Sequence, residues 1–136
     1  MVVLDTCAMI WLFERQPMTQ ESLEAIRKAA QVEQVLVSPV SAWEIGMLAS
    51  RRANRTRFQP SPWVWFDDAL GLAGVRLTGL APHAAIEAAF LPGEIHGDPA
   101  DRLLIATARE LGAPLVTRDA RILAYAAQGH LDAIPC

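Results

Sequence analysis

Two short apolar runs, Val2-Val3-Leu4 and Val35-Leu36-Val37, constrain this chain most. Each is too short for a helix, rich in β-branched residues and apolar at consecutive positions, the pattern of a strand buried on both faces. Val75-Arg76-Leu77 and Leu115-Val116 read as a third and a fourth strand. Helical segments lie between them. Thr6 to Phe13 is mostly apolar and begins a helix. Thr19 is an N-cap for a helix to about Ala30, with Leu23, Ile26 and Ala30 on one face. Ser38-Pro39 reads as the N-cap and first residue of a helix running through Trp43, Glu44 and Met47. Pro62 opens a helix with Trp63, Phe66 and Leu70 on one face, and Pro82 to Phe90 is helical. Asp98-Pro99 opens a helix to Leu111 that Gly112 stops, and Asp119 starts a last helix through Tyr125. Residues 51–60 and 91–97 are loops. Short apolar strands alternating with helices predict an α/β domain with a mainly parallel sheet covered on both faces. Ligands of such sheets bind beyond the carboxyl ends of the strands.

With 136 residues, 52% of them hydrophobic and 20% charged, the chain fits one globular domain over 1–136 and is not a disordered segment. No apolar stretch approaches the roughly 18 residues of a membrane-spanning helix. Nothing basic precedes the first apolar run, so no signal peptide is expected. Cys7 and Cys136 lie near opposite ends of the sequence and indicate no disulfide framework, so a cytoplasmic location is expected. A net charge of −3 does not advertise nucleic-acid binding. A cation site would supply such acidic residues and partly neutralise them, so the charge does not argue against it either.

Four acids fall where a parallel sheet would gather them. Asp5 follows the first strand directly, and Asp119 follows the fourth. Glu44 lies in the second turn of the helix after strand two, and Asp101 in the first turn of the helix before strand four. Each alone has an ordinary explanation: Asp5 as a backbone cap, Asp101 as an acid favoured by the helix dipole, Asp119 as a cap, Glu44 as a solvated helix edge. Brought together, carboxylates repel unless protons or cations neutralise them. A hard oxygen donor set without His or Cys suits Mg²⁺ or Mn²⁺ better than zinc, and such a site can hydrolyse a phosphodiester without a protein nucleophile. Asp98, before Pro99, reads first as the cap of the helix carrying Asp101 and second as a metal-proximal group. Thr6 and Thr117 stand beside the acids, placed to hydrogen-bond them.

Four segments in order carry a resemblance. They are Val3-Leu4-Asp5-Thr6, Ser38-Pro39-Val40-Ser41-Ala42-Trp43-Glu44-Ile45, the stretch from His96-Gly97-Asp98-Pro99-Ala100-Asp101 to Ala106, and Val116-Thr117-Arg118-Asp119. Together they resemble PIN-domain proteins, with the order and spacing of the VapC-type toxin ribonucleases of bacterial toxin–antitoxin pairs. The resemblance implies a three-layer α/β/α sandwich and a Mg²⁺- or Mn²⁺-dependent endoribonuclease. It also implies an RNA substrate, a homodimer and inhibition by a cognate antitoxin. By motif match, Asp5, Glu44, Asp101 and Asp119 correspond to the family's catalytic and metal-binding acids, with Asp98 at a further acidic position. Two positions depart from the pattern. Cys7 stands where many relatives have His or Asn, and Ala100 where an aromatic is usual.

Arg51, Arg52, Arg55, Arg57 and Arg102 are the candidate RNA-backbone contacts, the ordinary alternative being solvated surface charge. His83, His96 and His130 have no ligand spacing and read as structural or loop residues. Trp11, Trp43, Trp63 and Trp65 read as core or dimer interface, and Cys7 as a small buried residue. Two rival functions share the fold: a non-cleaving PIN-like module that binds RNA or protein, and a DNA-directed PIN-like nuclease. A phosphatase using Asp5 as nucleophile would want a second acid at position 7, where Cys7 stands.

Overall fold

The computed structural model describes residues 1–136. Strands β1 (Val2–Leu4), β2 (Val35–Val37), β3 (Val75–Leu77), β4 (Leu115–Thr117) and β5 (Ala133–Pro135) form one sheet in the order β3-β2-β1-β4-β5. Every pairing is parallel, with Val3 opposite both Leu36 and Leu115. The four expected strands are present. The fifth was not foreseen.

Seven helices connect the strands: α1 (Thr6–Phe13), α2 (Gln20–Ala30), α3 (Pro39–Ser50), α4 (Pro62–Leu70), α5 (Pro82–Glu87), α6 (Pro99–Leu111) and α7 (Ala120–Ala127). Their ends follow the expected cap chemistry. The Thr19, Ser38, Ser61 and Asp98 side chains accept backbone N–H groups at the starts of α2, α3, α4 and α6. Pro occupies the first turn of α3, α4, α5 and α6, where its missing N–H leaves no intrahelical bond unmade. Gly112 ends α6 at φ 61°, a left-handed conformation that glycine adopts without penalty. Helix α5 stops at Glu87, short of the expected Phe90.

The strand side chains alternate between two apolar layers. Val3 and Leu115 face a core built with Leu104, Ile105, Ile122 and Tyr125 of α6 and α7. Val2, Leu4, Val35, Val37 and Val116 face a second core with Ile10, Ile26, Ile45 and Trp65, drawn from α1 to α4. Both faces of the sheet are therefore covered, giving the three-layer α/β/α sandwich. Burial on both faces explains why the strands are consecutive apolar runs.

The structure corrects or narrows three expectations about side chains. In α4 the buried pair is Trp65 and Ala69, while Trp63 is 78% exposed. The helix turns so that the Trp65 indole meets Phe13 and Phe58 edge-on, at 5.0 and 5.1 Å between ring centroids, and this rotates Trp63 outward. Trp43 is also exposed, so only Trp65 of the four tryptophans lies deep in the core. Cys7 is exposed, because the second residue of α1 lies at the rim of the sheet and not beneath a neighbouring helix.

The order of the strands decides where a site can form. The chain moves outward from β1 through β2 to β3, then returns to place β4 on the other side of β1. The connections leaving β1 and β4 therefore diverge at adjacent carboxyl ends and open a crevice there. Asp5 and Asp119 stand just after those two strands.

Candidate active site

Asp5 is the first residue after β1 and is 5% exposed. Its Oδ1 accepts the N–H of Ala8 at 2.7 Å, so it caps α1, and its Oδ2 accepts the hydroxyl of Thr117 from the end of β4. Capping and site membership, which read as alternatives in the sequence, are both true of this residue. Burial pushes its carboxyl up from 3.8 to about 6, against the pull of the Thr117 and Ala8 hydrogen bonds. The nearby charges of Asp101 and Asp119 add to the rise.

Glu44 comes from the second turn of α3. Its Oε1 accepts the Thr6 hydroxyl at 2.5 Å, and that hydroxyl also lies 3.0 Å from Ser41 Oγ. Burial raises its carboxyl, and Asp101, Asp98 and Asp5 raise it further. Asp101 is held in the first turn of α6 by the cap, with Asp98 Oδ1 accepting its N–H at 3.0 Å. Burial raises Asp101 as well, and the charges of Asp98 and Asp119 act in the same direction. Asp119 caps α7 and differs from the others. The Arg121 guanidinium beside it holds its carboxyl below the usual range. The two Asp119 oxygens are engaged by Arg121 through its backbone N–H at 2.8 Å, Nε at 3.3 Å and Nη2 at 3.0 Å. Nη2 also lies 3.7 Å from Asp101 Oδ2.

The four acids expected from the sequence thus lie around the β1/β4 crevice: Asp101 and Asp119 raise Asp5, Asp101 and Asp5 raise Glu44, and Asp119 raises Asp101. Thr6 and Thr117 are the hydroxyls that hold Glu44 and Asp5. Thr117 also accepts the Asp119 N–H at 3.0 Å, so one side chain orders two of the acids. Asp98 is exposed and acts as the α6 cap.

Three site residues were not foreseen. His96 Nε2 lies 2.6 Å from Asp101 Oδ2, and donor atoms of His96, Asp101 and Asp119 all fall within 4.8 Å of one another. The available signal was the short path from His96 through Gly97 to the cap Asp98, which leaves little room to stray from the start of α6. Arg121 is the second, visible only once the acids are placed. Arg118 is the third. Its guanidinium lies 3.2 Å from the centroid of the Trp11 ring, and its charge reaches Cys7 at the rim beside Asp5.

The candidate RNA contacts separate into two groups. Arg51, Arg52 and Arg55 are exposed and form no ion pair, while Arg57 sits 3.8 Å from Glu14. Arg102 is engaged elsewhere. Its Nε donates to Ala88 O at 2.8 Å, Nη2 to Ala89 O at 3.4 Å and Nη1 to His96 O at 3.5 Å. Its guanidinium is consumed in tying down the 88–97 segment and not presented to a phosphate.

The arrangement is a half-buried cleft of carboxylates, with His96 on Asp101 and Arg121 on Asp119, whose charge is only partly neutralised. A profile of the family described as PIN domain matches residues 2–128 of the chain. The chain belongs to the PIN domain family. Among relatives, Ribonuclease VapC22 of Mycobacterium tuberculosis (strain ATCC 25618 / H37Rv) is 34% identical over 126 residues, covering 91% of each protein. Among solved structures, VapBC2 from Rickettsia felis bound to a promoter DNA fragment contains a chain with a TM-score of 0.69 at 14% identity, covering 98% of this PIN domain and 97% of that chain. The DNA-bound VapBC of Salmonella typhimurium has a TM-score of 0.67 at 17% identity, over 99% and 98%. At these identities the structural matches speak to the fold, which agrees with the α/β/α sandwich of this PIN domain.

Proposed function

We propose that residues 1–136 form a single PIN-like nuclease domain that hydrolyses RNA phosphodiester bonds internally, using a divalent cation. One observation carries this: four carboxylates from four separate segments converge at the β1/β4 crevice, and burial raises three of them above their ordinary range. A cluster that resists its own ionisation is one that a cation would complete. The donors fit Mg²⁺ or Mn²⁺, because the acids offer hard oxygens held by hydroxyl and N–H groups. Similarity to a relative named a ribonuclease supports RNA as the substrate.

Asp5, Glu44, Asp101 and Asp119 would hold the cation. When bound, it supplies Lewis-acid stabilisation of charge on the phosphoryl group and lowers the pKa of water. The protein's own part is positional. Ala8 N–H and Thr117 Oγ1 fix both oxygens of Asp5, and Thr6 fixes Glu44. Preset ligands of this kind need little rearrangement when the reacting groups arrive. Arg121 neutralises Asp119 and neighbours Asp101, so a cation entering there competes with a guanidinium. The exposed arginines Arg51, Arg52, Arg55 and Arg57 would contact the RNA backbone, which their exposure permits.

The same reading extends to partners. The neighbouring VapBC structures support a cognate antitoxin as inhibitor. Exposed Ile86 and Phe90 on and just after α5 fit a homodimer contact. No helix is long and apolar enough to cross a membrane, and a cytoplasmic location fits a nuclease acting on cellular RNA.

The test is cleavage of RNA and DNA of one sequence by the purified protein, with Mg²⁺, with Mn²⁺ and with EDTA. Cation-dependent cleavage of RNA alone is expected. Cleavage of DNA alone, or cleavage of RNA unaffected by EDTA, would contradict the proposal.

A further inference from the structure

The stretch from Ala88 to Gly97 contains no helix or strand of its own, yet it is tied down along its length. Tyr125 donates its hydroxyl to Pro92 O at 2.7 Å. The Gln128 amide accepts from Glu94 N at 3.0 Å and donates to Glu94 O at 2.8 Å. Arg102 grips Ala88 O, Ala89 O and His96 O. Gly93 takes φ +73°, a left-handed conformation that glycine adopts without penalty, and a Cβ there would lie 2.4 Å from Gln128 Oε1, so a side chain at this position would disturb the Gln128 tie. All this restraint delivers one side chain to the crevice. His96 Nε2 meets Asp101 Oδ2 at 2.6 Å, with only 17% of the histidine side chain and 14% of the aspartate exposed.

The chemistry of that contact fixes its direction. An ionised carboxylate has only acceptors, so Nε2–H donates to Oδ2. One Asp101 oxygen is then committed to the protein. Nδ1 is buried without a partner, so no hydrogen bond to that nitrogen holds the ring, and its polar anchorage on the protein is the bond to Asp101. Burying an unpartnered nitrogen is unfavourable, and the loop ties offset it.

We propose that His96 is a positioning residue for the cation site, fixing the Asp101 carboxylate through Nε2–H to Oδ2 and so setting how Asp101 is offered to the ion. This rests on the carboxylate cluster being a cation site. Outer partners that orient a ligand change metal affinity by about 10–100-fold when removed. Gln carries an amide N–H at a reach close to that of Nε2, so His96→Gln keeps the donor and His96→Ala deletes it.

The experiment is calorimetric titration of the metal-free full chain with Mn²⁺, for the wild type, His96→Ala and His96→Gln, alongside melting curves of each in EDTA. The expected result is Mn²⁺ affinity weakened about 10–100-fold in His96→Ala and largely recovered in His96→Gln. Cleavage by His96→Ala should return as Mn²⁺ is raised, which a residue serving only the loop would not show. Wild-type affinity in His96→Ala overturns the proposal, as does a His96→Gln protein that folds like the wild type yet binds Mn²⁺ as weakly as His96→Ala. Should His96→Ala fail to melt cooperatively, His96→Gln decides alone: affinity near that of the wild type supports the proposal, and a tenfold loss overturns it. Absence of Mn²⁺ binding by the wild type overturns the cation site itself, and this inference with it.

Discussion

Thr117 Oγ1 donates to Asp5 Oδ2 across the β1/β4 junction and accepts the N–H of Asp119 at 3.0 Å. One buried hydroxyl therefore links the acids that follow two adjacent strands. Thr117→Val keeps the shape and removes both bonds. The expected outcome is a loss of about 1–3 kcal/mol in urea denaturation, with reduced cleavage. Thr117→Ser restores the hydroxyl and should recover most of both.

Asp5 contributes to the pH dependence of the metal-free protein, alongside Glu44 and Asp101, which burial also raises. Burial raises its folded-state carboxyl from 3.8 to about 6, so the folded form prefers the proton. The stabilising contribution is fully present below the unfolded value and is lost as pH rises through about 6. At about pH 7 the ionised form then costs up to about 3 kcal/mol. Asp5→Asn removes that term. In EDTA it should be more stable than the wild type near neutral pH and gain little near pH 4, measured by denaturant unfolding across that range. Saturating Mn²⁺ should stabilise the wild type and not the variant.

Arg121 and a cation compete for Asp119 and Asp101. The guanidinium is fully exposed, so its hold is weak. Arg121→Gln should tighten Mn²⁺ binding by about two- to fivefold, read by calorimetry at low ionic strength, and the gain should shrink as salt is added.

The arginines of the 51–60 segment should govern RNA affinity and not chemistry. In the Glu44→Gln background, paired replacement of Arg52 and Arg55 by Gln should weaken RNA binding at every sequence tested. Each arginine–phosphate pairing removed should make the slope of log K against log salt shallower by about 0.7, so the double variant should lose about 1.4. An unchanged slope would make these arginines solvated surface charge. Arg102→Gln should behave differently, destabilising the 88–97 loop, because its donors are spent on carbonyls.

The parts of the fold legible in the sequence are those set by local chemistry. Doubly buried strands announce themselves as Val2–Leu4 and Val35–Val37, and Ser38-Pro39, Asp98-Pro99 and Gly112 mark helix ends where the structure has them. The four acids were legible because a parallel sheet sends strand ends and helix starts to one edge. What escaped depends on the fold closing. Ala133–Pro135 is an edge strand, half exposed and ending in proline, so it lacks the apolar run that marks β1 and β2. The outward turn of Trp63 follows from how Trp65 meets Phe13 and Phe58, which are distant in sequence. His96 reaches Asp101 only because Arg102, Tyr125 and Gln128 fold its loop back, and no periodicity encodes that. Cys7 looked buried among apolar neighbours, but the first turn of α1 opens onto the crevice.

The most direct measurement of the carboxylate cluster as a nuclease centre is the rate of RNA cleavage in saturating Mn²⁺ by wild type and Asp5→Asn, with folding of both verified by circular dichroism. Asp5→Asn should fold and cleave no faster than the wild type in EDTA. Cleavage by Asp5→Asn at the wild-type rate would contradict a site built on Asp5.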